Sequence, residues 1–455
     1  MFRLATRPLP ADGHWAWLTL KLIPIKPVAA QKPSSDERAK ALMTPWHAKW
    51  LLAAPHRLAF FMAALMLAAS SLWWGTHLLM WSLGVTSVWA VTASAAHGLL
   101  MSMGFMPLFF AGFLFTAGPK WLGLKEVTAS SLLPALCMML IGWLIVIFGF
   151  YFYAVIAGVG MALVSSGWTA LVLKFFALLR RSRVPDRVHA SLAAAACGVG
   201  VVTLWVSALS LAIESDLLLR TATQVGLWGF VATVFVAVSH RMIPFFGASA
   251  APLLDAWRPL WLLTLMTCMI WLEGALSVMD VWQWQLPTAL QWGRVAFELV
   301  SSVLLLWLAV RWGLVQSLKI RLLAMLHGGF AWLGIAFALN AASHALMTLT
   351  QGELSLGLAP LHAMTMGYLG STMFAMTTRV SSGHGGRPVA ADDVAWRLYW
   401  ILQAAIVLRV IAAIWPQVST EFTLLAIGAW STAMAGWAIR YGNWFGRPRP
   451  DGRPG

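Results

Sequence analysis

The chain has 455 residues, 60% of them hydrophobic and only 10% charged, where an ordinary soluble domain is about 25% charged. That balance excludes a water-soluble globular enzyme, a disordered chain and a fibrous one, and makes lipid the solvent. A formal net charge of +15 would suit nucleic acid if it lay on one folded face, but the charges fall in short segments between long uncharged runs, as in an inner-membrane protein.

Residues 1–55 read as a polar, basic cytoplasmic tail. Its one apolar piece, 15–24, holds Lys21 and has only about ten residues, too few to span a bilayer or to act as a signal peptide. Twelve stretches long enough to span follow: 58–81, 88–116, 130–148, 151–179, 188–213, 221–246, 260–278, 286–310, 322–347, 356–378, 398–415 and 422–439. No charge occurs from 127 to 173, a run too long for one helix, and the turn that divides it is placed near Gly149. The membrane domain is 56–441, and 442–455 forms a short basic tail. No repeat of 20–50 residues is visible.

Lysine and arginine orient this array. With both termini cytoplasmic, 28 of the 31 fall on the inner side, Arg220 and Arg294 fall outside, and Arg409 lies within a span. A missed or extra helix would scramble so strong a bias. The expected fold is therefore all-α, a polytopic membrane bundle of about twelve helices, with much of the tryptophan (28 residues, against 5 tyrosines) at headgroup level. Cys137, Cys197 and Cys268 lie in apolar runs without a CxxC spacing, which argues against disulfides and cysteine-based metal sites.

Ionisable residues inside spans are costly, so they are the first places to look for function. They are His97, His327, His344, His362, Glu273, Glu298 and Arg409, with His56, His77, His189 and His240 near span ends. Topology puts His77, His97, His344 and His362 in the outer half and His56, His189, His240 and His327 in the inner half. His384 falls in a cytoplasmic glycine-rich loop, Ser381-Ser-Gly-His-Gly-Gly-Arg387. The second and tenth spans share a pattern in which His97 precedes Met101, and His362 precedes Met366, by four residues, one helix face apart. Both histidines lie roughly 9–14 Å from their helix starts, so they can face each other at one depth, as axial ligands of a haem must. The plainer alternative is an interior histidine bonded to a neighbouring helix. His327 and His344 are 17 residues apart and cannot serve one centre. Arg294 and Glu298 form an i,i+4 pair read as structural, and Glu273 with Arg409 is a conceivable interhelical pair. Walker, HExxH, CxxCH and GxSxG motifs are absent. So are the adjacent histidines of haem–copper oxidases.

Four stretches carry a resemblance. They are His97-Gly-Leu-Leu-Met-Ser-Met-Gly-Phe105 continuing to Ala111-Gly-Phe-Leu-Phe-Thr-Ala-Gly-Pro119; Ser239-His-Arg-Met-Ile-Pro-Phe-Phe246; Leu326-His-Gly-Gly-Phe-Ala-Trp-Leu333; and Leu361-His-Ala-Met-Thr-Met-Gly367 running through Met376-Thr-Thr-Arg379 to Gly383-His-Gly-Gly-Arg387. In them the sequence resembles the NnrS family of haem- and copper-containing, twelve-span bacterial membrane proteins linked to nitric oxide stress. The resemblance implies haem b, with copper as a second metal, held by membrane histidines. Its motifs contain His97, His240, His327, His362 and His384. Cofactor binding is thus expected at His97, His362, His327 and His240, and metal contact at His97, His362, His384, Met101 and Met366. Where many members resemble His-Ala-His-Glu-Met, this chain has His97-Gly98-Leu99-Leu100-Met101. The missing second histidine and glutamate imply an altered copper site, or one centre fewer.

The expected function is a haem-binding protein of the bacterial inner membrane that responds to nitric oxide or protects against it. Lipid and nitric oxide are its expected partners, and nucleic acid is not. A twelve-span transporter and a haem protein assisting electron transfer or oxidase assembly are the competing readings. No paired Gly/Pro-broken helices in matching halves speak for the transporter.

Overall fold

The computed structural model describes residues 44–250 and 256–451, with side chains at 249 and 250 left aside. Most of the tail expected over 1–55 lies outside them. In a bilayer each backbone N–H and C=O must be satisfied within its own segment, so a chain this apolar folds as helices, and no strand occurs among the described residues.

Among the described residues eleven helices are long and apolar enough to cross a membrane: α1 Pro55–Ser82, α2 Ala93–Trp121, α3 Leu133–Phe152, α4 Ala154–Arg181, α5 Val188–Ala212, α6 Asp216–Ala248, α7 Leu260–Val281, α8 Thr288–Arg311, α9 Arg321–Leu349, then, after one further helix, α11 Asp393–Ile414 and α12 Ser419–Phe445. The helix between them, α10, runs over 359–384 in three pieces: Ala359–His362, a π segment Ala363–Gly370, and Ser371–His384. It replaces the tenth span expected at 356–378. Its apolar character is diluted by hydroxyls, most of them used inside the bundle. Thr365 and Thr377 donate back to the carbonyls of Leu361 and Met373, while Ser371 and Thr378 accept from Gln403 and Trp437.

Local chemistry sets the ends. Pro55 starts α1 where its missing N–H costs nothing. Ser215 caps α6 and Asp392 caps α11 with side-chain oxygens. The turn between α3 and α4 falls at Tyr153, not at Gly149. Gly149 is inside α3, where any Cβ would strike the backbone of Ala157 on α4. That glycine serves close packing of the two helices rather than a turn.

α12 packs on α1, which closes the array, and consecutive helices pack along most of the chain. α2, α6 and α9 are the most enclosed of the spans, and the middle of α10 is buried as well. Leucine, valine and isoleucine side chains such as Leu72, Val202, Val300 and Ile439 point outward, as a lipid-facing surface requires. Three of the inner helices depart from α geometry. α2 breaks at Gly104–Phe105, just ahead of Pro107, and α6 and α10 each contain a π segment, Gly226–Ala232 and Ala363–Gly370. π segments in helices frequently accompany functional sites.

Candidate functional site

Histidines gather at two levels. The first lies in the half of the bundle away from the loops rich in lysine and arginine. His97 on α2 stacks on Trp74 of α1, with ring centroids 4.0 Å apart and planes at 22°. Its Nδ1 is buried and has no hydrogen-bond partner. His362, the residue before the π segment of α10, donates from Nδ1 to the Leu358 carbonyl at 2.9 Å. The acceptor can only take a proton, so the bond fixes the tautomer and leaves Nε2 as a lone pair. Metal-ligating histidines are held in this way. His97 is within electrostatic reach of His362, Arg409 and His77, so the fold brings together the two histidines that the sequence paired. Met101 and Met366 are half-buried against the same core. His77 lies between Trp74 and Trp89.

The second level is at the basic end. There a cavity of about 370 Å³ is lined by Phe109, Phe110, Phe113 and Met376, by His189 and His384, and by Arg241, Arg379 and Arg449. Cavities of this size suit small molecules and cofactors. His240 forms two bonds: Nε2 lies 3.1 Å from the Pro259 carbonyl, and Nδ1 lies 3.0 Å from His189 Nε2. The carbonyl accepts, so His240 Nε2 carries the proton. His240 Nδ1 therefore accepts from His189 Nε2–H, and His189 Nδ1 is left as a buried lone pair without a partner. His384 is the last residue of α10 rather than a loop residue. The helix continues through Gly383, one of the glycines that suggest a loop, and Gly385 and Gly386, the latter at φ +68°, end it. The His384 ring lies 5.0 Å from that of His56, whose Nδ1 is likewise buried and unpartnered. Outside the spans, burial, helped by Arg440 and Arg447, lowers the Arg387 pKa from its ordinary value.

His327 is flanked by the carbonyls of Leu323 at 3.0 Å and Trp312 at 3.1 Å. The structure thus places both nitrogens of His240 and of His327 against neighbouring polar atoms. The glycines after His327 serve packing, since a Cβ on Gly329 would meet the Thr372 backbone nitrogen of α10 at 2.9 Å.

A polar network crosses α7, α8 and α9 at the far end. Arg294 grips Asp280 through two bonds of 2.9 and 2.8 Å and Glu298 through one of 3.0 Å. Glu273 lies 3.8 Å from the same guanidinium and accepts from Asn340. His344 contacts the second oxygen of Glu298 at 3.0 Å. Arg294 and Glu298 pair as expected, while Glu273 reaches Arg294 and Asn340 in place of the Arg409 suggested by the sequence. Among the described residues no group of three or more His, Cys, Asp or Glu side chains is arranged to hold a metal ion.

A family model described as NnrS protein matches residues 50–449. The chain belongs to the NnrS family. That makes it a multi-pass membrane protein of a family linked to the nitric oxide response, and the match takes in both histidine levels from His56 to His384. No curated protein and no solved structure matches the chain. Within the NnrS motifs, His97, His240, His362 and His384 all belong to the two levels. His189 and His56 lie outside the motifs. Topology had sorted them to the inner half, but no spacing rule in one sequence tied His189 to His240, 51 residues away on another helix.

Proposed function

We propose that the chain is a haem-binding protein of the bacterial inner membrane, with both termini cytoplasmic, that takes part in the response to or protection from nitric oxide. The observation that carries this reading is the outer histidine pair. His97 and His362 come from spans far apart in sequence and lie within electrostatic reach of each other. One has a buried nitrogen without a partner and the other has its tautomer fixed by the Leu358 carbonyl. Two such imidazoles would hold the iron of haem b. Trp74 holds the His97 ring by stacking, and Arg409 supplies a positive charge nearby for an anionic group.

Haem, when bound, would supply the iron that a diatomic ligand binds in exchange for one of the two imidazoles. The protein keeps that site in lipid, which a small apolar gas crosses without a polar channel. Met101 and Met366 offer soft, polarizable contact beside the histidines. The donor set for copper fits less well. A copper site calls for more nitrogen or thiolate donors than this pair gives, and Leu99 and Leu100 replace the family's second histidine and glutamate.

The visible spectrum of the purified protein tests the reading. A b-type haem spectrum that shifts on addition of nitric oxide is expected. His97→Ala and His362→Ala remove haem or convert its low-spin bands, and His77→Ala does not. A protein that purifies without haem, or one whose spectrum is unchanged in both alanine variants, overturns the assignment.

A further inference from the structure

We infer that the cavity at the basic end is a second haem site, with His189 as the protein ligand through Nδ1, His240 as the residue that positions it, and Arg241 and Arg379 as partners of the two propionates. The inference rests on the haem reading above and extends it to residues that the family motifs only partly contain.

Three observations point to one ligand chemistry. The first is the lone pair. The Pro259 carbonyl fixes the tautomer of His240, and His240 fixes that of His189, which leaves an unprotonated, buried nitrogen on a cavity wall. A histidine whose other nitrogen is tied to a second polar group is oriented to bind a metal, and the bond raises its basicity. The second is charge. Arg241 lies over the Trp121 ring at 5.0 Å and Arg379 over Phe246 at 3.7 Å. Neither forms an ion pair with a carboxylate among the described residues, whereas Arg449 is paired with Asp451. Two half-buried guanidinium groups on one cavity favour a ligand that carries two negative charges. The third is the remainder of the lining, which is aromatic, aliphatic and thioether. An apolar plate bearing a Lewis-acidic metal and two carboxylates satisfies all three conditions. A metal ion alone would leave the apolar wall and the guanidiniums unused, and a fatty acid would leave the imidazole unused.

Haem counted per folded chain tests this, by pyridine haemochrome on protein from a gel-filtration peak, together with the electron paramagnetic resonance spectrum. The wild-type protein is expected to hold two haems and His189→Gly one. Imidazole in the purification buffer restores the second to His189→Gly, which a merely misfolded variant does not show. His97→Ala keeps the inner haem and loses the outer. His240→Phe leaves the haem bound but shifts its resonance signals and midpoint potential, since the ligand loses its hydrogen-bond partner. Arg241→Gln with Arg379→Gln lowers inner-site occupancy at least several-fold. A His189→Gly protein that keeps the wild-type haem count and spectrum, while His97→Ala loses its haem, overturns the inner site and leaves the outer one standing. Wild-type protein without haem overturns both.

Discussion

Replacing Arg294 tests how the buried polar network is held together. Its side chain is 7% exposed, Glu298 is fully buried and Glu273 is 2% exposed. Arg294→Met deletes two charge-assisted bonds to Asp280 and one to Glu298 in a single step. Asp280 is half-exposed and rehydrates. Glu298 keeps only His344, and Glu273 keeps only Asn340, with its second oxygen already unpartnered. Breaking a buried ion pair from one side costs about 3–5 kcal/mol, because the charge left behind has no solvent, and two carboxylates place this variant at the upper end. The folding equilibrium constant should fall by roughly a hundred- to several-thousand-fold. Arg294→Met combined with Glu298→Met should recover much of that loss, since an apolar pair of similar volume removes one stranded charge with its partner. Yield of monodisperse protein in detergent and its melting temperature are the measurements, with haem per folded chain measured alongside. The structural reading is refuted if Arg294→Met accumulates and melts like the wild type. It is refuted equally if the variant folds normally but holds less haem, because the network would then serve the ligand site.

Two further predictions concern the frame. Reporter fusions at Lys125, Pro185 and Arg387 should all signal cytoplasm, as the distribution of lysine and arginine requires, and a periplasmic signal at two of the three would invert or break the topology. Gly329→Val should separate α9 from α10, since its side chain meets the Ser371–Thr372 backbone as well as the Thr372 hydroxyl. It should cost about 1–3 kcal/mol as an overpacking change, seen as a lower melting temperature, and a variant as stable as the wild type would show that the close approach is dispensable.

The helices were legible in the sequence because lipid leaves the backbone few choices. Val188 opens α5 where expected, and Leu260 opens α7. The miss at Gly149 has a physical cause: a glycine among aromatics reads as a turn, yet here it is the contact that lets α3 lie against α4. Equal estimated depth on two spans is what pairs His97 with His362 in the sequence, and the structure leaves them within electrostatic reach. The pair's methionines were only half legible. His97 and Met101 share regular α-helix, so four residues do put them on one face. Met366 instead lies in the π segment that begins just after His362, where the backbone bonds run i to i+5 and the four-residue rule no longer applies. A single sequence offers no signal for that change of period. The same limit hid the His189–His240 bond, which depends on how α5 meets α6.

The two ends of the bundle dispose of charge in opposite ways, and this bears on what each can bind. At the far end the buried carboxylates of Glu273 and Glu298 are answered from within the chain, by Arg294, Asn340 and His344. Apart from Glu273 Oε2, which has no partner, this network is satisfied within the chain, and it fixes helix positions. At the basic end Arg241 and Arg379 face a cavity and rest on aromatic rings, which offset only part of the cost of removing a guanidinium from water. An anion bound in the cavity would offset more of that cost. The outer pair falls between these cases, with Arg409 as its nearest charge and two imidazoles each keeping a nitrogen free of hydrogen bonds. Groups that the chain leaves unsatisfied are where a ligand gains most from binding, because each of its bonds replaces none. On that ground the ligand sites proposed for this NnrS protein belong at the histidine levels, and not among the more numerous buried charges of α7 to α9.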